Sequence, residues 1–266
     1  MSTRGYKRYF ELFKNMQNPF EYIFNRGKRK TRPLQFITRP NNIRFQVPAT
    51  LYPVFKEIFM EDVYNIKSVV KDLPANPVII DIGANGGYFD ILLLSKNINA
   101  IIYAYEPLPD NTSQIKKLIF ANASLLKNLF PHQLAVTGTP KENIDLYIEA
   151  ATESSVVASI FSNFDTRNTQ KITVSCITLT NIILQNNLLK IDVMKIDCEG
   201  SEYDILYNTA PSLIRRTKML LIEVHDLDED QYNIAALNNY LIKIGYITTH
   251  HPINKFCHAL EAILKN

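Results

Sequence analysis

The sequence is poor in the residues that settle simple cases. Its 266 positions hold no tryptophan, only 8 glycines and only 3 cysteines. So few glycines exclude a collagen-like repeat, and a hydrophobic fraction of 46% excludes a wholly disordered chain. Cys176, Cys198 and Cys257 are odd in number and none stands at C-x-x-C spacing, so neither a disulfide framework nor a zinc knuckle is expected. Free thiols in a reducing compartment follow, with a cytoplasmic location as the expectation. The first 30 residues lack the run of roughly 7–15 apolar residues that marks a secretory signal. No stretch reaches the roughly 18 uninterrupted apolar residues of a spanning helix. Neither G-x-G-x-x-G nor a phosphate-binding G-x-x-x-x-G-K-[ST] occurs, which disfavours a nicotinamide-dependent dehydrogenase and a nucleotide hydrolase.

What is present is unevenly placed. The net charge of +3 averages a basic segment, residues 1–44 with eleven Lys or Arg against two Glu, and a remainder with 18 basic and 24 acidic side chains. Residues 1–50 therefore read as a basic, aromatic extension containing a helix and a short hairpin. Tyr6, Tyr9, Phe10 and Phe13 recur at helical spacing, a stripe that either packs on the protein or rests on an anionic membrane surface. Nucleic acid is not expected as a partner, because no recognisable module accompanies the charge. QFITRPNNIRFQVP predicts two strands joined at Pro40-Asn41-Asn42. A helical lead-in covers 51–74, with one helix predicted from Tyr52 to Val70.

Beyond Pro77 strands and helices alternate, which implies βαβ units and a mostly parallel sheet with helices on both faces. Strands are predicted at Val78–Asp81, Ile101–Tyr105, His132–Val136, Val193–Cys198 and Met219–His225. A C-terminal antiparallel hairpin, Tyr246–Thr249 with Phe256–Ile263, closes the sheet. A long helix carries Ile115 through Leu129; shorter ones span Thr180–Asn187, start at Ser201 and run from Asp230 to Ile242. Ile144–Ile148 and Ile172–Ile177 read as strands flanking a polar loop over the site.

Two features carry chemistry. In VIIDIGANGGYF, Gly83, Gly86 and Gly87 fall between a strand and a helix, where glycine lets the backbone approach a ligand. Asp81 ends the strand, and a carboxylate there suits a cationic or amino-bearing ligand. Glu106, 25 residues later at the next strand end, can accept a ribose diol. Together they describe a site for S-adenosylmethionine. The second feature is charge inside apolar strands. Lys195 and Asp197 share one strand face, Glu223 and His225 another, and unpaired buried charges cost several kcal/mol. A purely structural alternative is a Lys195–Glu223 ion pair that fixes register.

DIGANGGYF, the AYEP around Glu106, LAVTG at 134–138, MKIDCEGSEYDIL at 194–206 and IEVHD at 222–226 together resemble the FkbM-type family of S-adenosylmethionine-dependent methyltransferases. The resemblance implies the Rossmann-like class I methyltransferase fold over residues 51–266, with its core at 77–266. It also implies methyl transfer to oxygen, often a sugar or polyketide hydroxyl. Carried over by position, Asp81, Gly83, Ala84, Asn85, Gly87, Glu106 and Pro107 are the expected cofactor contacts, and Asp197, Glu199 and His225 line the acceptor site. The family's usual Leu-Asp before the short helix is Leu179-Thr180 here, and Thr180 is expected to cap that helix. His225 is the first candidate for general base and Lys195 the second. Asp197, Glu199, Glu223 and Asp226 could collect a magnesium ion, but no metal ligand set is assigned. The expected acceptor is a small molecule or glycan, with specificity set by the polar stretch 150–170 and the arm. From a different class, the alternative is a non-catalytic cofactor-binding module or scaffold, which would give no methyl transfer.

Overall fold

The computed structural model describes residues 5–28, 30–97, 99–149, 158–159 and 168–265. A basic N-terminal layer comes first: α1 (Lys7–Asn15), α2 (Phe20–Asn25), then β1 (Leu34–Ile37) paired antiparallel with β2 (Arg44–Val47). The predicted hairpin is therefore present, with Pro40–Asn42 in the connection. The lead-in helix is not continuous. It begins as α3 (Tyr52–Lys56), widens into a π-turn at Glu57–Glu61, reverses through left-handed Asp62 and Asn65, and resumes as α4 (Ile66–Lys71). Pattern reading cannot register the one-residue excess of a π-turn.

The main sheet contains β3 (Val78–Ile82), β4 (Ile101–Tyr105), β5 (Leu129–His132), β10 (Ile191–Ile196), β11 (Thr217–His225), β12 (Tyr246–Pro252) and β13 (Cys257–Leu264). Its order is β12-β13-β11-β10-β3-β4-β5. All pairs from β11 to β5 are parallel, and β13 enters antiparallel between β11 and β12. This is the class I methyltransferase arrangement expected from the sequence. A second, four-stranded sheet holds β6 (Ala135–Thr137), β7 (Asn143–Glu149), β8 (Ala158–Ser159) and β9 (Asn168–Thr178). The predicted strand His132–Val136 is thus split between two sheets.

Strand alternation sorts the core. Ile79, Val193, Met219 and Leu221 face one layer, and Ile80, Ile82, Met194, Ile196, Leu220 and Ile222 the other. The first layer joins α5 (Tyr88–Lys96), α6 (Pro109–Ala121) and α3 to Leu12, Met16, Leu34, Phe36 and Phe45 of the N-terminal segment. The boundary drawn at residue 50 therefore does not divide two cores. α7 (Leu179–Gln185), α8 (Glu202–Tyr207), α9 (Pro211–Ile214) and α10 (Ile234–Lys243) cover the opposite face. The long helix expected to reach Leu129 ends at Ala121 and gives way to a 3-10 turn, Ala123–Lys127. The cap of α7 is Thr178, whose hydroxyl accepts from the Asn181 amide, rather than Thr180.

The aromatic stripe also divides. α1 buries Leu12 with Glu11 and Asn15, while Phe10 is 66% and Phe24 of α2 74% exposed. Among the described residues no helix is long and apolar enough to cross a membrane.

Candidate active site

The carboxyl ends of β3, β4, β10 and β11 open into a cavity of about 390 Å³. The loop after β3 forms one wall. Gly83 has φ +79°, and a Cβ added there would stand 1.8 Å from the Asp197 carbonyl oxygen, so only glycine permits this contact between two loops. Gly83, Ala84 and Asn85 line the cavity, as do Glu106 and Pro107. Gly87 does not; at φ +76° it precedes the first turn of α5 and is the turn-forming residue.

Glu106 is buried at the tip of β4. Its Oε2 accepts from the Asn85 amide at 2.8 Å, and its Oε1 from the Leu108 amide at 2.9 Å and Asn111 Nδ2 at 3.3 Å. Burial pushes its carboxyl up to about 7 against the pull of those donors. Asp81 has a different position from the one expected. It is fully buried, does not line the cavity, and forms an ion pair with Lys195 Nζ at 3.1 Å. Register places it beside Lys195, and Asp90 of α5 adds a second buried carboxyl whose protonated form burial and the Asp81 charge favour. Asp81 is thereby linked to the glycine loop, because Lys195 also donates to the Gly83 carbonyl at 2.7 Å.

Lys195 consequently holds its proton. Burial opposes the ammonium, but Asp81 and Asp197, the latter at 3.5 Å, raise its pKa above the ordinary lysine value. Its two carboxylate partners favour the ammonium, which disfavours Lys195 as the second candidate for general base. Among the described residues a Lys195–Glu223 ion pair, the expected alternative, is not found; Lys195 pairs with Asp81 of β3 and with Asp197 just beyond its own strand.

Asp197 lines the cavity and accepts from the Tyr64 hydroxyl at 2.7 Å. Tyr64, Glu57 and Glu61, from the interrupted lead-in helix, form a roof over the strand ends. None of the three was singled out from sequence, and no motif marks them. Glu199 and Glu223 line the same cavity, whereas His225 lies behind them. Its Nε2 is 3.2 Å from Glu199 and 3.7 Å from Glu223, and its Nδ1 is 3.2 Å from Glu202. Burial pulls the imidazole pKa down, but Cys257 and Glu202, with the charge of Glu199, push it up to about 12. Glu199, whose carboxyl burial raises to about 8, lines the cavity where His225 does not, so of this pair Glu199 is the member placed to meet an acceptor.

Asp226 is turned away: Oδ1 accepts from the Ile234 amide and Oδ2 meets His258 Nε2. The four carboxylates considered for magnesium therefore do not converge. Of the polar stretch 150–170, residues 150–157 and 160–167 lie outside the described residues; Ser159 is buried and donates to the Glu199 carbonyl at 2.7 Å.

The sequence profile of the family described as "Methyltransferase FkbM domain" matches residues 81–248. The chain belongs to the FkbM methyltransferase domain family. Methyltransferase sdnD of Sordaria araneosa is 43% identical over 56 residues, 21% of this chain and 20% of that protein. The AMB antimetabolite synthetase AmbE of Pseudomonas aeruginosa is 40% identical over 55 residues, 21% of this chain and 2% of that one. The chain thus spans a fifth or less of the length of these curated relatives. Among solved structures, the precorrin-6y C5,15-methyltransferase of Geobacter metallireducens GS-15 superposes with a TM-score of 0.47 at 13% identity, over 77% of this chain and 89% of that chain. The FkbM match starts at Asp81 and ends at Thr248, so it includes the glycine loop, Glu106, Lys195–Glu199 and Glu223–His225 and leaves the N-terminal layer outside.

Proposed function

We propose that the protein is an S-adenosylmethionine-dependent methyltransferase acting on a hydroxyl of a sugar, glycan or related natural product. The observation that carries the reading is a single cavity with two chemically distinct ends. At one end the Gly83–Asn85 backbone and Glu106 offer close approach and a diol acceptor; at the other, Asp197, Glu199 and Glu223 form an acidic cluster. The cavity suits the cofactor on a test the sequence alone could not make. Gly83–Asn85 and the buried Glu106 carboxylate line the same cavity, and the Asn85 amide fixes that carboxylate, which fits a ligand carrying a diol. When bound, the cofactor supplies an electrophilic methyl group.

The chain's own residues then bind, orient and hold the proton. Gly83, Ala84, Asn85, Glu106 and Pro107 would hold the cofactor, with Asp81 and Lys195 fixing the loop from behind. Asp197, restrained by Tyr64, would orient the sulfonium end or the acceptor. Glu199 would accept the acceptor hydroxyl proton, and His225 would position Glu199. Glu199 has φ +50°, a left-handed backbone that non-glycine residues seldom adopt and that concentrates at functional sites. Positioned base catalysis is typically worth about 10²–10⁴ in rate. Glu199→Gln should lose activity on that scale while binding cofactor normally, measured by transfer of labelled methyl onto extracted glycans and lipid-linked sugars. Undiminished turnover in the variant removes Glu199 from this role, and no transfer by the native protein to any such acceptor favours a binding module.

The N-terminal face supports a companion proposal: contact with an anionic membrane surface on which a lipid-linked acceptor is presented. Phe20 contacts Phe13 and Phe24 at ring distances of 5.7 and 5.6 Å, all three rings are exposed, and Lys14, Arg26 and Lys28 are exposed in the same segment. Aromatic and basic side chains together are the composition of interfacial helices. The full chain should sediment with vesicles containing phosphatidylglycerol and not with pure phosphatidylcholine, and Phe20→Ser/Phe24→Ser should weaken this. Equal recovery with both vesicle types, or no loss in the variant, rejects the proposal.

A further inference from the structure

The antiparallel register of β11 with β13 produces a grouping that no sequence motif announces. Cys257 stands opposite His225 across the strand pair, and Glu223, two residues before His225, shares its strand face. An imidazole, a thiol and a carboxylate thereby meet, with Glu223 on the cavity wall and His225 and Cys257 buried behind it. Their donor atoms all lie within 4.8 Å of one another, with Cys257 Sγ 3.1 Å and His225 Nε2 3.7 Å from Glu223 Oε1. Ligands around a tetrahedral ion with bonds of about 2.0–2.3 Å stand roughly 3.3–3.8 Å apart. The three donors are therefore spaced close to a coordination shell.

The surroundings orient them. Glu202 is fully buried; its Oε2 accepts from the Gly200 amide at 2.9 Å, and its Oε1 accepts from the His225 amide at 2.7 Å and faces His225 Nδ1. A carboxylate fixed on one ring nitrogen directs the other toward a metal, the usual support of a ligating histidine. Charge agrees with this. Glu199, Glu202 and Glu223 each place a carboxylate oxygen within 3.7 Å of the imidazole, and their charge favours a cation there. The donor chemistry selects the ion: thiolate with imidazole suits zinc or cobalt, whereas magnesium prefers oxygen alone.

We propose that Glu223, His225 and Cys257 bind one borderline-soft divalent cation, zinc above all, with the neutral imidazole exchanging its Nε2 contact with Glu199 for the metal and the Cys257 thiol releasing its proton. Binding stands on the donor geometry alone. Its use, to receive an oxygen of the acceptor, rests on the methyl-transfer reading.

The test uses the full chain, stripped with chelator and titrated with zinc chloride or cobalt chloride. One zinc per chain is expected by elemental analysis, and the cobalt form should show a near-ultraviolet thiolate-to-cobalt charge-transfer band. Cys257→Ser should abolish the band, Cys176→Ser should keep it, and Cys257→Ser or His225→Ala should weaken zinc binding at least about tenfold. Should Cys257→Ser not fold, Glu223→Gln supplies the same comparison through zinc affinity. Zinc content no higher in the native chain than in the variants, or a band that survives Cys257→Ser, overturns the proposal. Calorimetry with S-adenosylhomocysteine on the same samples separates the two readings. Cofactor binding without zinc leaves methyl transfer standing and removes the metal, and zinc binding without cofactor does the reverse.

Discussion

Glu106 offers a test of the cofactor site that does not require the acceptor. Its carboxyl is buried, accepts three hydrogen bonds from loop donors and is raised to about 7. A diol held by two hydroxyl donors needs the carboxylate, because a protonated carboxyl brings a donor of its own. The sign follows directly. Below pH 7 most of the free protein carries the wrong form, so cofactor affinity should rise as pH rises through 7. If only the ionised form is competent, the apparent Kd is divided by the competent fraction. Between pH 6 and pH 8 this amounts to roughly a tenfold tightening, or about 1.4 kcal/mol. Calorimetric titrations across that interval give the wild-type slope, and the same series on Glu106→Gln gives the background from the ligand's own α-amino group, which titrates at about 8. The difference between the two slopes belongs to Glu106. A wild-type affinity independent of pH, or an identical slope in Glu106→Gln, would refute its role as ribose acceptor.

Two further predictions probe what stands behind that wall. Gly83→Ala must move its Cβ away from the Asp197 carbonyl by about 1.2 Å to reach even the closest tolerated separation, in a left-handed conformation costing roughly 1–2 kcal/mol. Misplacement on that scale is worth about 10² in a positioned reaction, so cofactor affinity or turnover should fall by at least an order of magnitude; an unchanged variant with normal circular dichroism contradicts the contact. Lys195→Met leaves Asp81 buried beside Asp90 without its cation, and breaking a buried pair costs about 3–5 kcal/mol. At roughly 2–4 °C per kcal/mol for a chain of this size, Tm should drop by about 6–20 °C in a calorimetric scan. A Tm within experimental error of the native protein would show that Lys195 carries little of the burden.

The parallel strands were legible because burial on both faces writes itself as uninterrupted apolar sequence, as in Val78–Ile80 and Leu220–Ile222. Charges inside such runs, Lys195 and Glu223 among them, were visible as anomalies, and the structure gives each a specific partner or a place on the cavity. What remained hidden depends on contacts between distant segments. Nothing local distinguishes Tyr64 from any other tyrosine near a helix end, yet it meets Asp197, 133 residues later. Periodicity finds the stripe of Tyr6, Tyr9, Phe10 and Phe13 but not which way it faces: Tyr9 packs against the core that holds Leu12 and Met16, whereas Tyr6, Phe10 and Phe13 are exposed. Asp81 stands out in the sequence as a carboxylate at a strand end, and its neighbour in the fold is Lys195. Its partner was fixed by strand register, which a sequence states only indirectly.

The absence of any gap between Gly83 and the Asp197 carbonyl has a kinetic corollary. The loop that meets the cofactor and the loop that leads to Glu199 touch backbone to backbone and share one ammonium group, so neither can relax alone. On the proposed function, occupancy on one side would shift the free energy of the other, and linkage would make the effect reciprocal: whatever factor the cofactor contributed to acceptor affinity, the acceptor would return to the cofactor. Two substrates would then arrive at a jointly tuned pair of sites, with synergy in their binding.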